Sequence, residues 1–261
     1  MHNFYPNRFL FIFIILFIFS TMIFGLYDVT DKRSPVIEKF ILLVKKNNLK
    51  ELSKKIRYPL NRLYPIPSIK NSSDFIKRYD EFMDSELKSI IITPNKENSW
   101  SEMGWRGLML KNGEIWLDFE GYLTQINYES KFEIKRRAEL IDLDKQNLYP
   151  VLRNFLEPIL EWETKSYHIR VDHLGDYKYR YSEWSKNIPT SQKPDLVINN
   201  GEWEADGNVG NHHYDFFNEG TKYMVYINRI GNDDTVFPGG LEVSQSNKIV
   251  LDEPAIKVFN E

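Results

Sequence analysis

Residues 9–26 read FLFIFIILFIFSTMIFGL, eighteen positions without a charge. At a helical rise of about 1.5 Å per residue, this stretch is about 27 Å long, close to the hydrocarbon thickness of a bilayer. A core helix so apolar on every side would need a larger domain around it than the rest of this chain supplies. With Arg8 ahead of it, the segment has the layout of a signal peptide or signal anchor, so a membrane is the expected partner of residues 9–26. Cuts after Ser20 or Gly25 would place Ile18 or Ile23 at −3, where cleavage prefers a small residue. A retained anchor is therefore favoured over a cleaved, secreted or periplasmic product. Asp28 and Asp31 just beyond the segment fit export, whereas Lys32, Arg33, Lys39, Lys45 and Lys46 pull towards the cytoplasm. The short basic lead decides for export, with the chain anchored in the inner membrane and its soluble part in the periplasm.

The other residues of the 261 have the means to build a core. Hydrophobic residues make up 42 % of the chain and aromatic residues 15 %, and cysteine is absent. That absence excludes disulfides, thiolate metal sites and a cysteine nucleophile. The net charge is −3, and the ten Lys/Arg against four Asp/Glu in residues 28–63 form a local excess beside the membrane segment. Overall pI is about 6.0, without the basic footprint of a nucleic-acid-binding domain.

Local patterning divides the soluble part in two. Ser34-Pro35 predicts a helix start, followed by an apolar stripe at helical spacing through Val44; a second short helix runs through Leu49, Leu52 and Ile56; Asn71 caps a third. The SIIIT of residues 89–93 reads as a strand, and 105–119 as a hairpin about Asn112-Gly113. A further strand covers 121–128. Residues 131–165 read as a charged linker with one short helix near 148–162. From Tyr167 onward, strand candidates (167–174, 177–184, 195–199, 202–205, 214–217, 223–230, 241–244 and 255–259) are punctuated by Gly, Asn and Asp turns. The expected fold is α+β: a transmembrane or signal helix at 1–27, helices on a curved antiparallel sheet at 28–130, the linker, and a small all-β barrel or sandwich at 166–261.

The opening helix VIEKFILLVKKNNLKEL, the Tyr58-Pro59 break, the helix NSSDFIKRYDEF and the hairpin GLMLKNGEIWLD together resemble the NTF2-like superfamily. The resemblance is one of topology over about a third of the chain, and it implies a cone of helices over a curved sheet in exported bacterial proteins. Enzymatic members carry an Asp–His pair in the cone. No histidine lies between His2 and His168, so that pair is missing here.

No nucleophile elbow, phosphate-cradling loop or EF-hand spacing occurs. His212-His213, following Asp206 in a glycine-rich stretch, supplies metal-ligand types, but adjacent histidines on a strand face opposite ways and only one can enter a given site. His168 and His173 flank Arg170 and Asp172 in a similar strand pattern. Tyr177, Tyr179 and Tyr181 alternate as if along one strand face, and with Trp184 and Trp203 they are the candidates for contacting a partner. The sequence thus points to a membrane-anchored, exported, non-enzymatic binding protein, either an envelope accessory factor or an inhibitor of immunity type. Its partner would be another envelope protein, and no cofactor is expected. The competing class is a metal-assisted envelope hydrolase using His212 or His213.

Overall fold

In the computed structural model of the chain, residues 33–93, 95, 99–207, 210–228 and 238–259 are described. The predicted membrane segment at 9–26 lies outside them. Among the described residues no helix is long and apolar enough to cross a membrane. The described residues divide into two units: 33–63 with those of 68–134, and 64–67 with those from 135 on.

The first unit opens with α1 (Ser34–Lys45) and α2 (Leu49–Ser53). Arg33 occupies the N-cap of α1 without a side-chain cap, and Pro35 sits in the first turn, where its missing N–H costs nothing. In α3 (Ser72–Phe82) the Asn71 carboxamide oxygen accepts from the N–H groups of Ser73 and Asp74, both at 3.0 Å. The expected strand at SIIIT is instead the end of a helix, α4 (Ser85–Ile92). Asp84 caps it, accepting from Leu87 N at 2.9 Å, and Leu87, Ile90 and Ile91 fall on one buried face at helical spacing. That burial outweighs the strand preference of three isoleucines.

Strands β1 (Trp100–Glu102), β2 (Leu108–Leu110), β3 (Ile115–Leu117) and β4 (Leu123–Ile126) form an antiparallel meander in sequence order. The β2–β3 connection is a four-residue loop closed by Leu110 and Ile115, with Lys111 and Gly113 at positive φ, rather than a two-residue Asn-Gly turn. Helix and sheet faces share one core that includes Phe40, Phe75, Phe82 and Trp100. Each such side chain contributes about 1.5–3 kcal/mol by leaving water.

About half of the expected linker is a seventeen-residue helix, α5 (Lys131–Asn147), with the boundary between the units inside it, and the short helix expected near 148–162 is instead a single tight turn at Pro150–Leu152 followed by a strand at Glu157–Glu163. Ser130 and Glu133 form a reciprocal cap at its start: Glu133 N donates to Ser130 Oγ at 3.1 Å, and Ser130 N to Glu133 Oε2 at 3.4 Å.

In the second unit, α5 is followed by β5 (Glu157–Glu163), β6 (Tyr167–Gly175), β7 (Lys178–Ser185), β8 (Leu196–Ala205), β9 (His212–Asn218), β10 (Thr221–Ile227), β11 (Gly239–Gln245), β12 (Lys248–Pro254) and β13 (Lys257–Val258). They make one curled antiparallel sheet in the order β12-β11-β10-β9-β8-β7-β6-β5-β13. The segment 248–258 pairs with β11 at its start and with β5 at its end, so one stretch of chain joins the two edges of the sheet. The concave face is apolar, with Trp162, Ile169, Val171, Tyr181, Phe216, Val225 and Leu241 buried.

Two expected strands at 195–199 and 202–205 are one strand. The Asn199-Asn200-Gly201 signal marks a bulge, with Asn200 at φ 64°, where β8 passes from pairing with β7 to pairing with β9. Gly201 lies under the Phe216 ring, and a Cβ there would land on ring carbons. Gly201→Ala is expected to destabilise the second unit by about 1–3 kcal/mol, as overpacking of a filled core does. Urea titration followed by tryptophan fluorescence measures this, and an unchanged midpoint would contradict it.

Candidate functional site

Alternation along the strands of the second unit sorts its chemistry onto two faces. In β6, Ile169 and Val171 turn into the core, and His168, Arg170 and Asp172 take the other face, where all three are buried. Arg170, with no exposed side-chain area, donates to Asp172 Oδ1 from Nε at 2.8 Å, to Glu161 Oε2 at 3.0 Å and to Asp144 Oδ2 at 2.6 Å. Asp172 Oδ2 accepts from Arg180 at 2.6 Å. His168 Nε2 lies 2.9 Å from Glu161 and Nδ1 3.2 Å from the Ile188 carbonyl. The ring stacks on Phe259 at 4.6 Å.

Two guanidinium groups, Arg170 and Arg180, face three carboxylates here, Asp144, Glu161 and Asp172. Burial pushes the Glu161 carboxyl up, but the His168 hydrogen bond and the Arg170 charge together hold it below its usual range. Burial wins at Asp144, which is raised despite Arg170. Every charge of this network is spent on another member. The arrangement ties the second half of α5, through Asp144, to the sheet.

A second cluster lies on β8 and β9. The register pairs Glu204 with His213, and Asp215 is two residues further along the same face. His213 Nδ1 is 2.8 Å from Asp206 Oδ1, and its Nε2 faces Glu204 Oε2 at 3.7 Å and Asp215 Oδ2 at 3.6 Å. Lys222 Nζ contacts Asp215 Oδ2 at 2.7 Å. Of the metal candidates read from the sequence, His213 and Asp206 are brought together. His212 is not: it faces the other side of the strand, against Trp203 and Tyr214. Glu204, Asp215 and Lys222 escaped sequence reasoning. The alternations Glu202-x-Glu204 and His213-x-Asp215 are visible in the chain, but the register that joins them is not.

The aromatic candidates also separate. Tyr181 is fully buried, with burial and the neighbouring Glu183 charge pushing its phenol well up. Trp184 is equally buried on the opposite face, its indole N–H donating to the Gln192 carbonyl at 2.9 Å. Tyr179 is half-buried against His173 and Tyr214. Tyr181 and Trp184 are packing residues, a correction to their assignment as part of a contact face. Tyr177 is not in a strand at all. It is the second residue of the two-residue β6–β7 turn and 87 % exposed. Trp203 is 48 % exposed on β8. Lys178 and Glu202, their chain neighbours, meet at 3.2 Å, which sets the two exposed rings at the same end of the sheet.

No family model, curated protein or solved structure matches the chain.

Proposed function

We propose that the chain is an exported, non-enzymatic binding protein of the bacterial envelope, held in the inner membrane by residues 9–26, of accessory or inhibitor/immunity type. The observation that carries this reading is Tyr177. Asp176 and Tyr177 form the turn at φ 49° and 56°. Such a turn favours Asn, Asp or Gly, and a left-handed tyrosine costs about 1–2 kcal/mol relative to glycine. A large, rigid ring held outward at that cost, at the same end of the sheet as half-exposed Trp203, has the character of an interface anchor. Arg170, Arg180, Asp144, Glu161 and Asp172 of the second unit are engaged with one another, consistent with a scaffold that presents this aromatic end. Helices over a four-stranded meander support an NTF2-like first unit, and the joining of both sheet edges by 248–258 supports a small barrel for the second. The carboxylates around His213 favour a second reading, a metal-assisted envelope hydrolase, in which His213 rather than His212 would act.

Stability and binding are expected to move in opposite directions at one position. Tyr177→Gly should stabilise the second unit by about 1 kcal/mol by removing the strained turn residue. The same change, or Trp203→Ala, should weaken capture of a discrete envelope protein by the detergent-solubilised full chain at least tenfold, about 1.4 kcal/mol. Retention unchanged in the double variant would remove the aromatic end from the proposal. A Tyr177→Gly variant no more stable than the parent would remove the strain argument.

A further inference from the structure

We propose that Glu204, His213 and Asp215 bind a divalent metal ion of the zinc class on the face of β8 and β9 opposite the apolar core, with Asp206 as the positioning residue. This inference is independent of the aromatic end and of any partner.

Asp206 Oδ1 can only accept, so at 2.8 Å it takes the Nδ1 proton of His213. A carboxylate on Nδ1 is the usual outer-shell device that fixes a ligating imidazole, leaving the Nε2 lone pair for the metal. That nitrogen points between two carboxylates, at 3.7 Å from Glu204 and 3.6 Å from Asp215, both too long for hydrogen bonds. Three acceptors with no proton among them repel one another unless the ring takes a second proton or a cation lies between them. Zinc with bonds of about 2.0–2.1 Å to nitrogen and oxygen sets tetrahedral ligands about 3.4 Å apart. The two separations are within a few tenths of that, and all three ligand atoms lie within 4.8 Å of one another.

A separate observation comes from Asp215. The residue is 7 % exposed, and its Oδ1 has no hydrogen-bond partner among the described residues, while Oδ2 is held by Lys222 at 2.7 Å. The oxygen that faces His213 is Oδ2, shared with Lys222; a buried Oδ1 left without a donor is unfavourable, and a metal that takes the Asp215 carboxylate through both oxygens would satisfy it. The carboxylates of Glu204, Asp206 and Asp215 outnumber the one cationic side chain that contacts them among the described residues, Lys222. One nitrogen with two carboxylate oxygens suits zinc and its first-row neighbours better than calcium or magnesium, which take oxygen throughout. Three protein ligands leave a position for water or for a group on a bound molecule.

Isothermal titration of zinc chloride into the tag-free full chain in detergent tests the site. One zinc per chain at micromolar or tighter affinity is expected. His213→Ala and Glu204→Gln should weaken binding at least a hundredfold, Asp206→Asn by about 10–100-fold, and calcium chloride should bind at least a hundredfold more weakly than zinc. Glu204 and Asp206 are exposed, so their variants decide the matter even where His213→Ala perturbs folding. Absence of stoichiometric zinc binding, or identical titrations for the parent and Glu204→Gln, would overturn the site; calcium binding as tight as zinc would overturn the choice of ion.

Discussion

Asp172→Ala is expected to destabilise the second unit by about 3–5 kcal/mol, because it leaves buried guanidinium charge without its counter-charge. Asp172 is fully buried and bridges Arg170 and Arg180. After the change Arg180 keeps only the carbonyls of Leu152 and Asn154, and Arg170 keeps Asp144 and Glu161. The cost arises from the unpaired charge rather than from lost attraction. Asp172→Leu combined with Arg180→Met should therefore recover much of the stability. Amide exchange over 167–185 in the full chain reports the loss, with 108–126 in the first unit unaffected. Equal protection in the parent and Asp172→Ala would show that the network carries no weight.

The same network makes the second unit sensitive to acid in a particular way. Glu161 is held below its usual range, so it contributes stability above the unfolded carboxyl value of about 4.3, and this is lost as pH falls through the lower folded value. Asp144 is raised and works oppositely: its ionised form is disfavoured in the fold, so stability falls as pH rises through the window between its unfolded and folded values. Glu161→Gln should flatten the acid limb, and Asp144→Asn should remove the opposing slope, in stability profiles measured from pH 3 to 7.

Glu133→Ala is expected to cost the first unit about 3–5 kcal/mol. Arg62 forks onto both oxygens of Glu133 at 2.6 Å and donates to the carbonyls of Ile126 and Tyr128 at 2.5 and 2.7 Å. Each side chain is 2 % exposed. Removing the carboxylate strands a guanidinium in the interior and takes away half of the reciprocal cap that starts α5. Glu133→Gln keeps an acceptor and the helix propensity, and should lose less. The check is the urea midpoint of the first unit, followed by exchange over 108–126; a loss under about 1 kcal/mol for Glu133→Ala would place this pair with the weak surface bridges.

Helices that announce themselves through local chemistry were legible in the sequence. Asn71 ahead of an apolar stripe, and Pro35 in a first turn, are signals complete within a few residues. Two equally local signals were present and outvoted. Ser130-x-x-Glu133 is a capping box, hidden in a stretch so charged that it reads as linker. Asp84 caps α4, hidden by three isoleucines that favour a strand. The opposite facing of His212 and His213 was also legible, since it follows from the two-residue period of a strand alone.

What the sequence by itself determined is therefore the chemistry available and its local periodicity: no thiols, an uncharged stretch at 9–26, helices before strands, and alternation that assigns each strand residue to one of two faces. Only the tertiary structure decided which faces meet. Glu204 joins His213, and Asp144 reaches Arg170 from twenty-six residues away, through strand register and helix placement. Register depends on where the bulge between Tyr179 and Tyr181 falls and on 248–258 joining both edges of the sheet, and a slip of one residue would turn each side chain to the other face.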